Sequence, residues 1–211
     1  MAARNAKVAA VCPRLMFMHD RNRINSCGGI MDIYGLCLNR GINELYDSKG
    51  TYSQPSEVFY APGAAVLIKR NVWEQIGPFD ERYFAYFEDA DWCWRARLYG
   101  YKIVYEPRSV VYHVWHGSWR DPAKRIYFYE AHRLSSIIKN YSLITLLRIL
   151  PIYIVMMFLR FLWLFFHWGP ECGISIVKAF IWNLTMLKIT LRERQKIQSM
   201  RVVADKDIIK Y

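Results

Sequence analysis

The spacing of apolar and polar positions changes along this chain, and each change predicts an element. "KVAAVCPRL" at residues 7–15 is a short continuous apolar run, which predicts a buried strand ended by Pro13. Residues 19–57 are rich in Asn, Gly, Asp and Ser and read as loops with short strands. "VFYAPGAAVLIKRNVWEQIG" then predicts a strand up to Tyr60, a Pro62-Gly63 turn, a strand through Ile68, and a short helix stopped by Gly77. "EDADWCWRARLYG" predicts a helix with Gly100 just past its end. "YKIVYEP" alternates as a strand does, and "SVVYHVWHG" predicts another. Residues 121–141 predict a partly basic helix.

Two longer apolar runs follow, "ILPIYIVMMFLRFLWLFFHW" at 149–168 and "GISIVKAFIWNLTMLKITL" at 173–191. Each is about as long as a helix needs to cross a hydrocarbon core. The linker "GPEC" carries no Lys or Arg, whereas the flanks carry Arg133, Lys139 and Arg148, and Arg192, Arg194 and Lys196. A spanning hairpin would therefore keep both ends in the cytoplasm. Arg160 opposes spanning, since a mid-helix Arg costs roughly 2.5 kcal/mol or more. Lys178, Asn183 and Lys188 weaken the second segment further, so a shallow interfacial hairpin and a buried soluble helix pair stand as alternatives.

Charge sharpens this division. Of the net +11, residues 1–123 carry 15 Lys/Arg against 13 Asp/Glu, and residues 124–211 carry 14 against 5. The excess lies beside the apolar helices, which suits an anionic membrane surface and argues against nucleic acid; no nucleic-acid recognition motif accompanies it. Apolar residues at 54% exclude general disorder. The five cysteines contain no C-x-x-C pair, so neither a zinc site nor a disulfide framework is indicated. The opening residues lack an apolar run of signal-peptide length.

Asp80, Glu81, Glu88, Asp89 and Asp91 crowd into "FDERYFAYFEDADWCWR". A solvated acidic helix face is the simplest account of such a run. The interleaved aromatics are costly to leave in water, Asp89 falls in the first helical turn, and "PGAA" lies upstream as a turn of small residues. Helical spacing puts Glu88, Asp91 and Arg95 on one face, with Asp91 and Arg95 as a surface-type pair worth a few tenths of a kcal/mol. Asp89 projects about 100° away from Glu88, towards a different surface.

Taken together, "VCPRL", "CGG", "GAAVLIKR", "GPFDERYFAYFEDADWCWR" and "YEPRSVVYH" resemble the second half of the catalytic domain of family 2 glycosyltransferases, of the rhamnosyltransferase-like kind. The resemblance runs from about Lys7 to Tyr141. It implies an α/β fold, a partial GT-A (nucleotide-diphospho-sugar transferase) domain over residues 1–141; the shift to apolar and basic residues near 140 predicts a membrane-associated apolar helical hairpin with a basic tail at 142–211. It implies sugar transfer, with inversion, from a nucleotide-sugar donor to a lipid-linked or cell-surface glycan acceptor at the cytoplasmic face of the cell membrane. The E-D motif places the catalytic base at Asp89. The resemblance also implies substrate-binding roles for Gly63, Ala64, Glu88 and Trp115, a metal or diphosphate ligand at His113 with His116 a weaker candidate, and structural support from Asp91 and Arg95. Unaided by the resemblance, a tight turn at Gly63-Ala64 and an ordinary polar contact for His113 are the plainer readings.

The family's first half, with the D-x-D carboxylates that hold Mg or Mn, finds no counterpart: Asp20, Asp32 and Asp47 are isolated. The expectation is therefore a fragment, a split product that pairs with a separate N-terminal half, or a degenerate paralogue. The alternative function is a non-catalytic, membrane-anchored partner. Hydrolysis by paired carboxylates is a weaker alternative, because nothing separates an acid from a nucleophile.

Overall fold

The computed structural model describes residues 6–115 and 121–209, so His116 lies outside the described residues. The chain is mixed α/β, with a pair of long apolar helices towards its C-terminus. Strand β1 (Val8–Phe17) is the sheet's axis. It pairs in parallel with β7 (Lys102–His113), and antiparallel on its other edge with β2 (Ile24–Ser26) and β6 (Leu67–Ile68). On the far side of β7 lies antiparallel β5 (Ser56–Val58), while β3 (Gly29–Met31) and β4 (Cys37–Asn39) form a separate ribbon. Being flanked on both edges, β1 is buried along nearly its whole length, which explains its unbroken apolar run.

Pro13 does not end β1. Pairing with β7 steps from Pro13–Glu106 to Arg14–Val110, so Pro13 stands at a register break. A residue with no N–H is tolerated where the ladder is already interrupted. The same break explains why the two segments divided at Pro107 in the sequence form one strand, β7.

Helix α1 (Arg70–Ile76) stops at Gly77, whose φ is +87° and whose N–H bonds Trp73 O. Helix α2 (Glu88–Leu98) ends with Gly100 N–H on Arg97 O and Tyr101 N–H on Ala96 O. This paired closure needs a left-handed residue, and Gly100 supplies it at φ +87°. Every residue from Ala90 to Leu98 is buried. Trp92 and Trp94 are enclosed, and the ring of Trp94 meets Phe59 and Tyr141 edge-on at 6.0 and 4.7 Å.

Helix α3 (Pro122–Asn140) is capped by Asp121, which accepts from Ala123 N–H. Helices α4 (Leu143–His167) and α5 (Pro170–Ser199) follow, then the short α6 (Asp205–Ile208). Pro170, Glu171 and Cys172 form the first turn of α5, not a linker. Pro at N1 gives up an N–H that had no helical partner. Helix α5 lies along α3 and α4 packs on α5, so the three helices form one layer against the α/β part.

Candidate active site

Residues far apart in sequence converge on one cleft of about 580 Å³. Its walls include Gly63 and Ala64 from the turn after β5, Glu88 and Asp89 from the start of α2, and His113 and Trp115 from the end of β7. All the residues proposed for catalysis or binding within the described chain thus share one surface. Glu88 and Asp89 do not diverge as the helical wheel suggests. They open α2, where no preceding turn separates their side chains from the same space.

Asp89 is clamped by backbone. Gly63 N–H donates to Oδ2 at 2.6 Å and Ala90 N–H to Oδ1 at 2.7 Å. A Cβ at Gly63 would sit 3.5 Å from Asp89 Oδ2 and from Glu88 Oε1, so this turn and both carboxylates are in close contact. Burial pushes Asp89 up from its ordinary pKa, opposed by the N–H groups of Gly63 and Ala90. Burial, and then the Asp89 charge, push Glu88 up to about 7. Glu88 Oε2 is buried without a hydrogen-bond partner, and so is Asn25 Nδ2 elsewhere in the cleft. Two unspent polar atoms in one concavity are what a ligand would satisfy.

The approach to the acidic pair is strained. Tyr86 and Phe87 have φ of 65° and 76°, a left-handed conformation costing roughly 1–2 kcal/mol per residue. His132 holds them in place, its Nδ1 2.8 Å from Tyr86 O, while the Phe87 ring packs edge-on against Tyr129 at 5.5 Å. Burial lowers His132 to about 4, so the imidazole is neutral and Nδ1–H donates to the carbonyl. Nothing local in "AYFED" signals this bend, because α3 enforces it from a distance.

His113 Nδ1 lies 3.0 Å from Asn25 Oδ1, and burial lowers its pKa. With Nδ1–H donated to Asn25, Nε2 presents a lone pair to the cleft. Trp115 stacks on Phe17 with centroids 5.5 Å apart. Among the described residues no three His, Cys, Asp or Glu side chains converge as cation ligands. His113 alone does not make a metal site, and these residues do not fit the Mg or Mn that the resemblance implies. Asn25, Asn39, Tyr60 and Tyr129 also line the cleft and carry no sequence motif. A further cavity of about 610 Å³ opens between the first turns of α3 and α5, lined by Lys124, Tyr127, Phe128, Ile174 and Lys178 among others. It holds none of the cleft's carboxylates.

Asp91 faces the opposite way and is fully buried. It accepts from Arg95 Nε (3.1 Å), Lys139 Nζ (3.1 Å), Ser136 Oγ (2.8 Å) and Asn140 Nδ2 (3.0 Å). Lys139 also reaches Asp80 at 2.7 Å, and Arg82 pairs with Asp80 at 2.6 Å. Arg95 additionally donates to Ile76 O and Pro78 O. Burial would raise both carboxyls, yet Arg82 and Lys139 at Asp80, and Lys139 and Arg95 at Asp91, hold them below the ordinary range. The Asp91–Arg95 pair is therefore no surface i,i+4 contact; it is the hub that locks α2 onto α3.

No protein-family model matches the chain. Several curated glycosyltransferases match parts of it. N-acetylglucosaminyl-diphospho-decaprenol L-rhamnosyltransferase of Mycobacterium tuberculosis is 40% identical over 88 residues, covering 40% of this chain and 28% of the relative. Rhamnosyltransferase WbbL of Escherichia coli is 30% identical over 93 residues, 44% of this chain and 33% of the relative. The low-salt glycan biosynthesis hexosyltransferase Agl10 of Haloferax volcanii is 37% identical over 60 residues, 28% of this chain and 20% of the relative. The matches thus span a third or less of each of these relatives' length. Over the matched part, the chain is a homologue of the rhamnosyltransferase-like glycosyltransferases.

Proposed function

We propose that this chain carries the acceptor-activating side of an inverting glycosyltransferase of family 2 and GT-A type. The observation that carries the reading is the Asp89 carboxylate, clamped by two N–H groups in the cleft that also collects Gly63, Ala64, Glu88, His113 and Trp115. Asp89 takes the proton of an acceptor hydroxyl as that oxygen bonds the anomeric carbon. The electron pair of the breaking C–O bond leaves with the nucleotide diphosphate. Each Asp89 oxygen keeps a lone pair beyond its backbone bond, so the clamp orients the base without consuming it. The partnerless Glu88 Oε2 accepts from a second hydroxyl of the acceptor, and His113 Nε2 accepts from a donor or acceptor hydroxyl.

The donor is a nucleotide sugar and the acceptor a lipid-linked or cell-surface glycan; a lipid-linked acceptor is supported by the Mycobacterium tuberculosis relative, named for N-acetylglucosaminyl-diphospho-decaprenol. A divalent cation on the donor diphosphate would draw its ligands from outside this cleft, on a D-x-D segment or a separate N-terminal half. The work is done at the cytoplasmic face of the membrane, next to the apolar helices. The test supplies such a segment and measures transfer over a panel of nucleotide sugars with Mg²⁺ or Mn²⁺. Asp89→Asn should lower kcat by at least two decades, the range of general-base contributions being about 10²- to 10⁴-fold. Its circular dichroism and donor affinity should match the parent. An unchanged kcat would remove Asp89 from the role of base, and no transfer with any donor would favour the non-catalytic partner instead.

A further inference from the structure

We propose that the α4–α5 pair is an in-plane docking surface for an anionic lipid bilayer, not a hairpin that crosses it. The inference rests on the membrane part of the reading above and goes beyond it by fixing how the helices meet the lipid.

Length and composition alone permit spanning, since α4 and α5 have 25 and 30 residues. Their packing does not. Helix α5 is fastened along α3 in parallel: Asn183 Nδ2 donates to Ala131 O, Arg194 to Ile138 O and Tyr141 O, and Gln198 Nε2 to Lys139 O and Asn140 O. Arg82 also donates to Thr190 Oγ1. Helix α4 returns alongside, where Tyr153 and Arg160 meet the buried Glu130 of α3 at 3.2 Å each. The turn between α4 and α5 is level with the start of α3, for Glu171 and Asp121 line the same cavity. Helix α4 exceeds the 19-residue α3 by only about 9 Å and α5 by about 16 Å, so the pair has too little length free of α3 to reach across a hydrocarbon core of about 30 Å. Spanning would carry α3 with it, and with α3 the Asp80–Lys139–Asp91 network and the Tyr129 wall of the carboxylate cleft.

The outward face matches a lipid surface. Leu147, Val155, Phe158 and Phe166 on α4 and Ile181 and Leu184 on α5 are each at least half exposed. Trp163 and Trp168, at the α4 side of the turn, are also half exposed, as interfacial tryptophans are. Residues 143–199 carry seven Lys and Arg against only Glu171 and Glu193. That imbalance opposes burial of this face against a second copy, whose charge is the same, and favours anionic headgroups.

Flotation and topology test the proposal on the full chain. The chain should float with vesicles of phosphatidylcholine and phosphatidylglycerol, and much less with phosphatidylcholine alone. Lys188→Gln/Arg192→Gln should weaken binding to the anionic vesicles roughly 30-fold, at about fivefold per cation. Cysteines at Glu171→Cys, in the α4–α5 turn, and Ser199→Cys, at the far end of α5, should label with an impermeant maleimide from the same side of native membranes, with the parent chain as blank. Labelling from opposite sides would overturn the in-plane arrangement. Failure to float, with or without dimerisation in solution, would overturn lipid docking altogether. A chain that floats but transfers no sugar once the D-x-D segment is supplied would sink the transferase reading and leave this one standing.

Discussion

Replacing Asp91 with Asn should separate a buried hub from a surface ion pair. The substitution removes the negative charge at the centre of four donors while keeping shape and one acceptor oxygen. Lys139, only 1% exposed, would be left with Asp80 alone to balance its charge. Arg95 would retain the carbonyls of Ile76 and Pro78 but lose its carboxylate. Uncompensating a buried ion pair in this way costs about 3–5 kcal/mol. An exposed pair at the same spacing is worth a few tenths. The chain supplies its own control, because Arg70–Glu74 has i,i+4 spacing at 2.8 Å with both side chains exposed. Urea unfolding in mild detergent, followed by the fluorescence of the eight tryptophans, Trp92 and Trp94 of the same helix among them, should show Asp91→Asn losing at least 3 kcal/mol and Glu74→Gln less than about 0.5 kcal/mol. Equal losses for the two would refute the hub. Because Asp80 and Asp91 are held below their ordinary pKa, their contribution is present above about pH 4 and is lost as pH falls further. The parent chain should therefore unfold in acid, and Asp91→Asn should show a shallower acid limb.

Glu88 has the opposite sign: its pKa is raised from 4.5 to about 7, so its protonated form supports the fold and stability is lost as pH rises through that window. Glu88→Gln should match the parent near pH 4 and exceed it by about 1–3 kcal/mol at pH 8, read from urea midpoints, the upper figure being discounted for solvent in the cleft. Gly63→Ala places its Cβ in ordinary contact at 3.5 Å and should fold normally while raising KM for the acceptor in the completed enzyme. Gly29→Ala would put a Cβ 1.8 Å from the Tyr60 ring, so it should cost about 1–3 kcal/mol or more by thermal unfolding and disturb the cleft that Tyr60 lines.

Local chemistry made much of this chain legible. The stops at Gly77 and Gly100 follow from the left-handed backbone each turn needs, and the elements before them fall where periodicity puts them. The motif residues from Gly63 to Trp115 were readable as a set only through the family resemblance, and the fold brings them to one cleft. Asn25, Tyr60 and Tyr129 were not, since each enters the cleft from an element that carries no motif of its own. Pairing was also hidden: Pro13 looks like a strand end until β7 supplies a neighbour whose register is already broken there.

Tertiary structure alone decided the surroundings of each carboxylate. In sequence, Asp89 and Asp91 are two residues apart in one acidic run, and helical spacing assigned Asp91 no partner beyond Arg95. In the fold, the turn at Gly63 approaches Asp89 and α3 brings Lys139 onto Asp91. One is thereby left facing a cleft with a raised pKa, and the other is neutralised in the core with a lowered one. The same division holds for the apolar helices. Their length and charge are written in the chain, but the direction in which they pack follows from Asn183, Arg194 and Gln198 gripping α3. Hydrophobicity is a property of a segment. The surroundings that set a side chain's charge or a helix's orientation come from residues distant in sequence, and they exist only once the chain has folded.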